Sequence, residues 1–139
     1  MIMEKEIPRG NTRDDIKARR QIIKEIYSSW VIDHPEKKVW NASLNADIHV
    51  KYQSYNEILG HAPKSFESTY ALTKMTEIMG KAIYVESRPP KPKDKNQKSF
   101  SKMSLLRWKQ YRLLVGTQES TGELVLYYIG GGPKKRGKK

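Results

Sequence analysis

Cysteine is absent from the 139 residues, so disulfides, thiolate zinc sites and cysteine nucleophiles are excluded. No apolar run approaches the length of a membrane span, and the opening MIMEKEIPRG lacks the apolar segment of a secretory signal. Both absences fit a cytoplasmic protein with no membrane partner. The motifs G-x-x-x-x-G-K-[ST] and G-x-G-x-x-G are missing, so nucleotide-driven phosphoryl transfer is not expected, and Gly130-Gly131-Gly132 is a glycine run with no helix after it. The histidines His34, His49 and His61 show no i, i+4 pairing with one another, and no HExxH or carboxylate cluster occurs. The expectation is therefore no metal and no cofactor.

Acidic residues are also scarce, 15 against 27 lysines and arginines, giving a net charge of +12. The terminal KKRGKK supplies five of these charges and leaves +7 on the body. A surplus of this size favours polyanions such as RNA. The length fits one domain with a real core, and 37% hydrophobic content places it outside the disordered class.

Residues 1–12 read as a flexible arm, 13–130 as one α+β domain and 131–139 as a basic tail. Thr12 caps a helix with Asp14 and Asp15 in its first turn; Ile16, Ile22, Ile23, Ile26, Tyr27 and Trp30 form its apolar stripe, and the pattern ends at Asp33-His34-Pro35. A short strand is expected around Val39 and Trp40. A second is expected from Asp47 to Gln53, where Ile48, Val50 and Tyr52 alternate with polar residues.

The stretch Ser54–Thr69, SYNEILGHAPKSFEST, is the centre of interest. It holds a histidine, a lysine and four serine or threonine hydroxyls. A short helix around Tyr55, Ile58 and Leu59 is expected to break at Gly60, before His61, Pro63 and Lys64. An imidazole beside a lysine and a helix N-terminus suits a phosphate ester; the alternative is a plain connection with His61 as a cap. A single helix is then expected over Ser65–Lys81, with Leu72, Met75, Ile78, Met79 and Ala82 buried.

Ile83–Ser87 reads as a strand. RPPKPKDKNQKS is a loop by composition, either a solvated linker or a segment that settles on nucleic acid. Met103–Trp108 is ambiguous between strand and helix. Tyr111–Thr117 and Glu123–Ile129 are strands joined by a hairpin loop at Glu119–Gly122, and the apolar run of the second marks a central strand. The order gives helices packed on an antiparallel meander.

The chemistry left open is metal-free cleavage of RNA, whose own 2′-hydroxyl is the nucleophile. His61 can act as base or acid. Lys64, Arg107 and Arg112 can stabilise phosphate; Ser68, Thr69 and Thr117 can position oxygens; Tyr127 or Tyr128 can stack a base or donate a proton. Arg112 as a solvent-facing residue, Thr117 as a β-former and the tyrosines as core are the alternatives. Lys91, Lys93, Lys95, Lys98 and Lys102, with the tail, are the further phosphate contacts, and they suffice for a nucleic-acid-binding module without catalysis.

A strand followed by E-I-L-G-H-A-P-K-S-F-E-S-T, then strands ending Y-R-L-L-V-G-T and L-Y-Y-I, resembles the barnase–EndoU–colicin–RelE superfamily of small RNases. Asp47–Ile129 is most similar to the phage and mobile-element branch found in large polyvalent proteins and related toxins. The resemblance implies a curved antiparallel sheet on N-terminal helices, metal-independent RNA cleavage and an inhibitor or immunity protein as partner. It also implies a polar site at His61, faced across the sheet by Arg112 and Thr117.

Overall fold

The computed structural model describes residues 2–131; the basic tail from 132 to 139 lies outside the described residues. Helix α1 spans Arg13–Asp33. Its capping box is complete: Thr12 Oγ1 accepts from the Asp15 N–H at 3.1 Å, and Asp15 accepts from the Thr12 N–H at 3.3 Å. Strands β1 (Lys38–Asn41) and β2 (Ala46–His49) follow, then α2 (Tyr52–His61), α3 (Phe66–Leu72) and α4 (Met75–Lys81). The chain ends in β3 (Ile83–Arg88), β4 (Phe100–Trp108), β5 (Tyr111–Gln118) and β6 (Leu124–Gly130).

The architecture is α+β, with helices on a six-stranded sheet ordered β1-β2-β6-β5-β4-β3. Its pairs are antiparallel except one. β2 runs parallel to β6, in register at Ile48↔Leu124 and His49↔Val125, so the expected all-antiparallel sheet is corrected to a mixed one. Three antiparallel strands, β3 to β5, come between the helices and β6, and their alternation leaves β6 running in the direction of β2. The Tyr84 N–H donates to Ser43 Oγ at 2.9 Å, joining β3 to the β1–β2 turn. A flat sheet of six strands would hold its edges roughly 24 Å apart; the bond therefore requires the sheet to curve around its contents.

Those contents are the main core. Ile23, Trp30, Ile48, Ile58, Ala71, Ile78, Met79, Leu106, Leu113, Val115 and Leu126 close together on the helix side. The second face carries a smaller cluster, Phe100, Met103, Val125 and Tyr127. β6 thus lies between neighbours and is covered on both faces, which explains its unbroken apolar run.

Three local expectations change. The strand from Asp47 stops at His49, because the Lys51 N–H donates to Ser54 Oγ at 3.0 Å and a helix starts there. Tyr52 then faces solvent at 76% exposure and not the core. Gly60 does not end this helix; it keeps a helical φ and the turn runs on to His61. The single helix over Ser65–Lys81 divides at Thr73-Lys74, whose N–H groups bond three residues back to Tyr70 and Ala71. Residues 103–108 are strand, extended back to Phe100 and turned into β5 at Lys109, which sits at φ 58°.

Residues 2–12 lie against the body through a buried Ile7 and a short 3-10 turn at Glu4–Glu6. No helix among the described residues is long and apolar enough to cross a membrane.

Candidate functional site

The short pairing of β2 creates the site. β2 covers β6 only as far as Val125, so the edge of β6 beyond it has no strand beside it. Helices α2 and α3 pack along that edge. Lys51 fixes the departure of the chain from the sheet: its Nζ donates to Glu123 Oε1 at 2.6 Å and Gln118 Oε1 at 3.0 Å across the β5–β6 hairpin. The Lys51 bond also holds the Glu123 carboxyl below its ordinary range.

One turn of α2 brings two titratable side chains together. His61 Nε2 lies 3.3 Å from Glu57 Oε1. Glu57 is 6% exposed and the His61 side chain 54%. Oε1 is buried without a hydrogen-bond donor, so the two groups are close but not hydrogen-bonded. The arrangement is a carboxylate behind an imidazole, with the imidazole facing solvent. Sequence reasoning missed Glu57, although Glu57 and His61 are four residues apart. Placing a helix end at Gly60 removed the spacing that makes such residues neighbours.

The surrounding side chains divide into committed and free groups. The Thr69 hydroxyl donates to the Ala62 carbonyl at 2.9 Å and lies equally close to that of Ser65, so it serves the backbone. Ser65 Oγ accepts from the Ser68 N–H and caps α3. Ser68 Oγ is 3.5 Å from the Tyr128 hydroxyl, a long approach across the open edge. Lys64 is exposed three residues after His61. The Tyr128 ring covers Gly130, where an added Cβ would fall 2.2 Å from the phenolic oxygen. Gly130 pairs with Arg112, which pairs in turn with Arg107, so both arginines stand in one row. Both are exposed. Like charges directly opposite on a sheet repel, and these two have no carboxylate partner within ion-pair distance among the described residues.

Arg112 and Thr117 do not share a face. They are five positions apart on an uninterrupted strand, and alternation sends them to opposite sides. Thr117 has the parity of Leu113 and Val115, which face the main core; its Oγ1 is buried without a partner. The single surface expected for His61, Arg112 and Thr117 is corrected accordingly. No hydrogen bond or ion pair among the described residues joins any two of the three.

Tyr127 belongs to the second core. It is 7% exposed, meets Phe100 edge-on and donates its hydroxyl to Asp94 Oδ2 at 3.1 Å. Burial, with the fields of Glu57 and Asp94, pushes its pKa up to about 12. It has no open ring face on which a base would stack. Asp94 also accepts from the Asn96 N–H, and buried Gln97 accepts from the Lys91 N–H, which folds the loop down over the sheet. Lys91, Lys93, Lys95, Lys98 and Lys102 are left exposed. Gln53 ties this loop to the first turn of α2, about 12 Å along the helix from His61. Among the described residues no group of three histidines or carboxylates stands where it could hold a metal ion.

Neither the curated proteins nor the solved structures compared with this chain include a match. The family model of large polyvalent protein-associated domain 3 matches residues 14–120, from the first turn of α1 to the end of β5 and so over more than half of the sequence, and the chain belongs to that family.

Proposed function

We propose that this domain cleaves RNA without a metal, using the pair Glu57–His61. The observation that carries the reading is a buried carboxylate 3.3 Å from a half-exposed imidazole, on a helix beside a basic surface. His61 takes the proton of a 2′-hydroxyl, which then attacks the adjacent phosphorus. The bond to the 5′-oxygen breaks, leaving a 2′,3′-cyclic phosphate. Glu57, 3.3 Å from Nε2, stabilises the imidazolium through its charge. Lys64 supplies charge to the phosphorane, and the Arg107–Arg112 row holds a neighbouring phosphate. The Tyr128 hydroxyl, beside Ser68, is the candidate proton donor to the leaving oxygen. Thr117 has no part in this arrangement. The mobile-element setting suggested by the family fits a toxin or effector, whose partner would be an inhibitor covering His61.

The test is degradation of a long RNA with EDTA present. The reading expects loss of at least about a hundredfold in His61→Ala, in keeping with removal of a general base. Equal cleavage by wild type and His61→Ala removes the assignment.

A binding module without catalysis is the second reading. It is favoured by Lys91, Lys93, Lys95 and Lys98, all solvent-facing on a loop anchored through Asp94 and Gln97, and by exposed Lys102 at the start of β4.

A further inference from the structure

Helix α1 carries four cations that the proposed chemistry does not use. Arg13, Lys17, Arg20 and Lys24 recur at intervals of four, three and four residues. At 3.6 residues per turn they fall within roughly 60° of arc and span about 16 Å. All four are exposed. Asp14, Asp15 and Glu25 lie outside that arc, and none of the four cations forms an ion pair among the described residues. A stripe of one sign with no carboxylate partner is a surface for a polyanion.

Its position gives it a destination. Arg20 Nη1 donates to the Leu59 carbonyl at 3.0 Å, and Tyr27 stacks on Tyr55 with ring centroids 4.3 Å apart. α2 therefore runs beside the stripe, and the residues after Leu59 are Gly60 and His61. Gly60 supplies an independent observation. Its φ is not positive, and a Cβ added to it would meet nothing within 4 Å. Neither backbone nor packing calls for glycine there, in a helix that a side chain would stabilise. What glycine provides is room for another molecule to lie against the helix next to His61.

We infer that the α1 stripe is the track for the phosphate backbone of single-stranded RNA, which passes over Gly60 to reach His61. A length of about 16 Å spans a few consecutive phosphates of a single strand. The inference rests on the RNA-cleavage reading for its ligand, and it assigns the principal phosphate-binding role to α1 and not to the loop lysines.

The experiment measures binding of a fluorescent single-stranded RNA across salt concentrations, in a His61→Ala background so that cleavage does not interfere. Lys17→Gln/Lys24→Gln should flatten the log–log salt slope by about 1.4, at roughly 0.7 for each phosphate that is no longer neutralised. Lys93→Gln/Lys95→Gln should leave it nearly unchanged. Gly60→Ala should raise the melting temperature, whereas Gly60→Gln should weaken RNA binding at an unchanged fold by circular dichroism. An unaltered slope in the α1 variant, a slope carried by the loop variant, or no RNA binding overturns the track. A shifted slope in a protein whose wild type never cuts RNA keeps the track and removes the cleavage reading. Cleavage with an unshifted slope does the reverse.

Discussion

The guanidinium of Arg19, fully buried, donates from Nε to the carbonyl of Pro63 at 2.7 Å, two residues beyond His61. Its Nη1 donates to the carbonyls of Pro8 and Gly10 at 2.8 and 2.7 Å, and its Nη2 has no partner. One side chain of α1 thus ties the N-terminal arm to the turn that carries the candidate site.

Arg19→Met should therefore destabilise the fold by about 3 kcal/mol, because the buried Pro63 carbonyl and the partly buried bonds to Pro8 and Gly10 lose a charged donor while apolar packing is kept. Thermal melting and limited proteolysis measure it. The melting temperature should drop and the first cut should fall before Arg13. An unchanged melting temperature would show that the three bonds add nothing net.

Glu57→Gln keeps the volume of the side chain and removes its charge. RNA cleavage should fall by about tenfold to a hundredfold, and the melting temperature should hold or rise, since a buried oxygen short of a donor becomes a neutral amide. Rates and melts on the same preparation separate the two effects. Loss of activity with equal loss of stability would mark Glu57 as structural.

Tyr127 links the second core to alkaline pH. Its folded pKa, about 12, lies above the ordinary 10.0. A raised value means the folded state holds the proton more tightly. The stabilisation is complete below pH 10 and is lost as pH rises through 12. Tyrosinate absorbance should show one phenol ionising last, and Tyr127→Phe should remove that step and flatten the alkaline fall in melting temperature. Ionisation of Tyr127 near 10 would contradict its burial against Asp94.

Gly116 faces the ring of Phe100, and a Cβ there would come within 2.6 Å of it. Phe100 is 3% exposed and cannot swing away freely. Gly116→Ala should cost about 1–3 kcal/mol by overpacking. Adding Phe100→Leu should restore part of the loss, so chemical denaturation of the two single variants and the double should give non-additive values. Strict additivity would mean the two do not meet.

The parts of the fold that periodicity specifies are legible in the chain itself. α1 shows its stripe and its capping box, and β5 and β6 show strand patterns. The parallel pairing of β2 with β6 is not legible, because pairing partners distant in sequence leave no local trace. The end of α2 is misplaced by sequence reasoning because glycine usually punctuates, whereas Gly60 remains helical. That error hides Glu57, the residue that turns His61 from an isolated imidazole into half of a pair. The separation of Arg112 from Thr117 is readable from spacing alone, since an odd interval on one strand means opposite faces. The burial of Arg19 is not readable, because nothing in its neighbours distinguishes it from Arg20.

Acid–base cleavage at Glu57–His61 is tested most directly by the chemistry of RNA ends produced in EDTA. Wild-type protein should yield 2′,3′-cyclic phosphates, and both His61→Ala and Glu57→Gln should reduce their rate of appearance while folding as the wild type does. Cleavage that needs a divalent metal, ends without cyclic phosphate, or no cleavage by well-folded wild-type protein would contradict it.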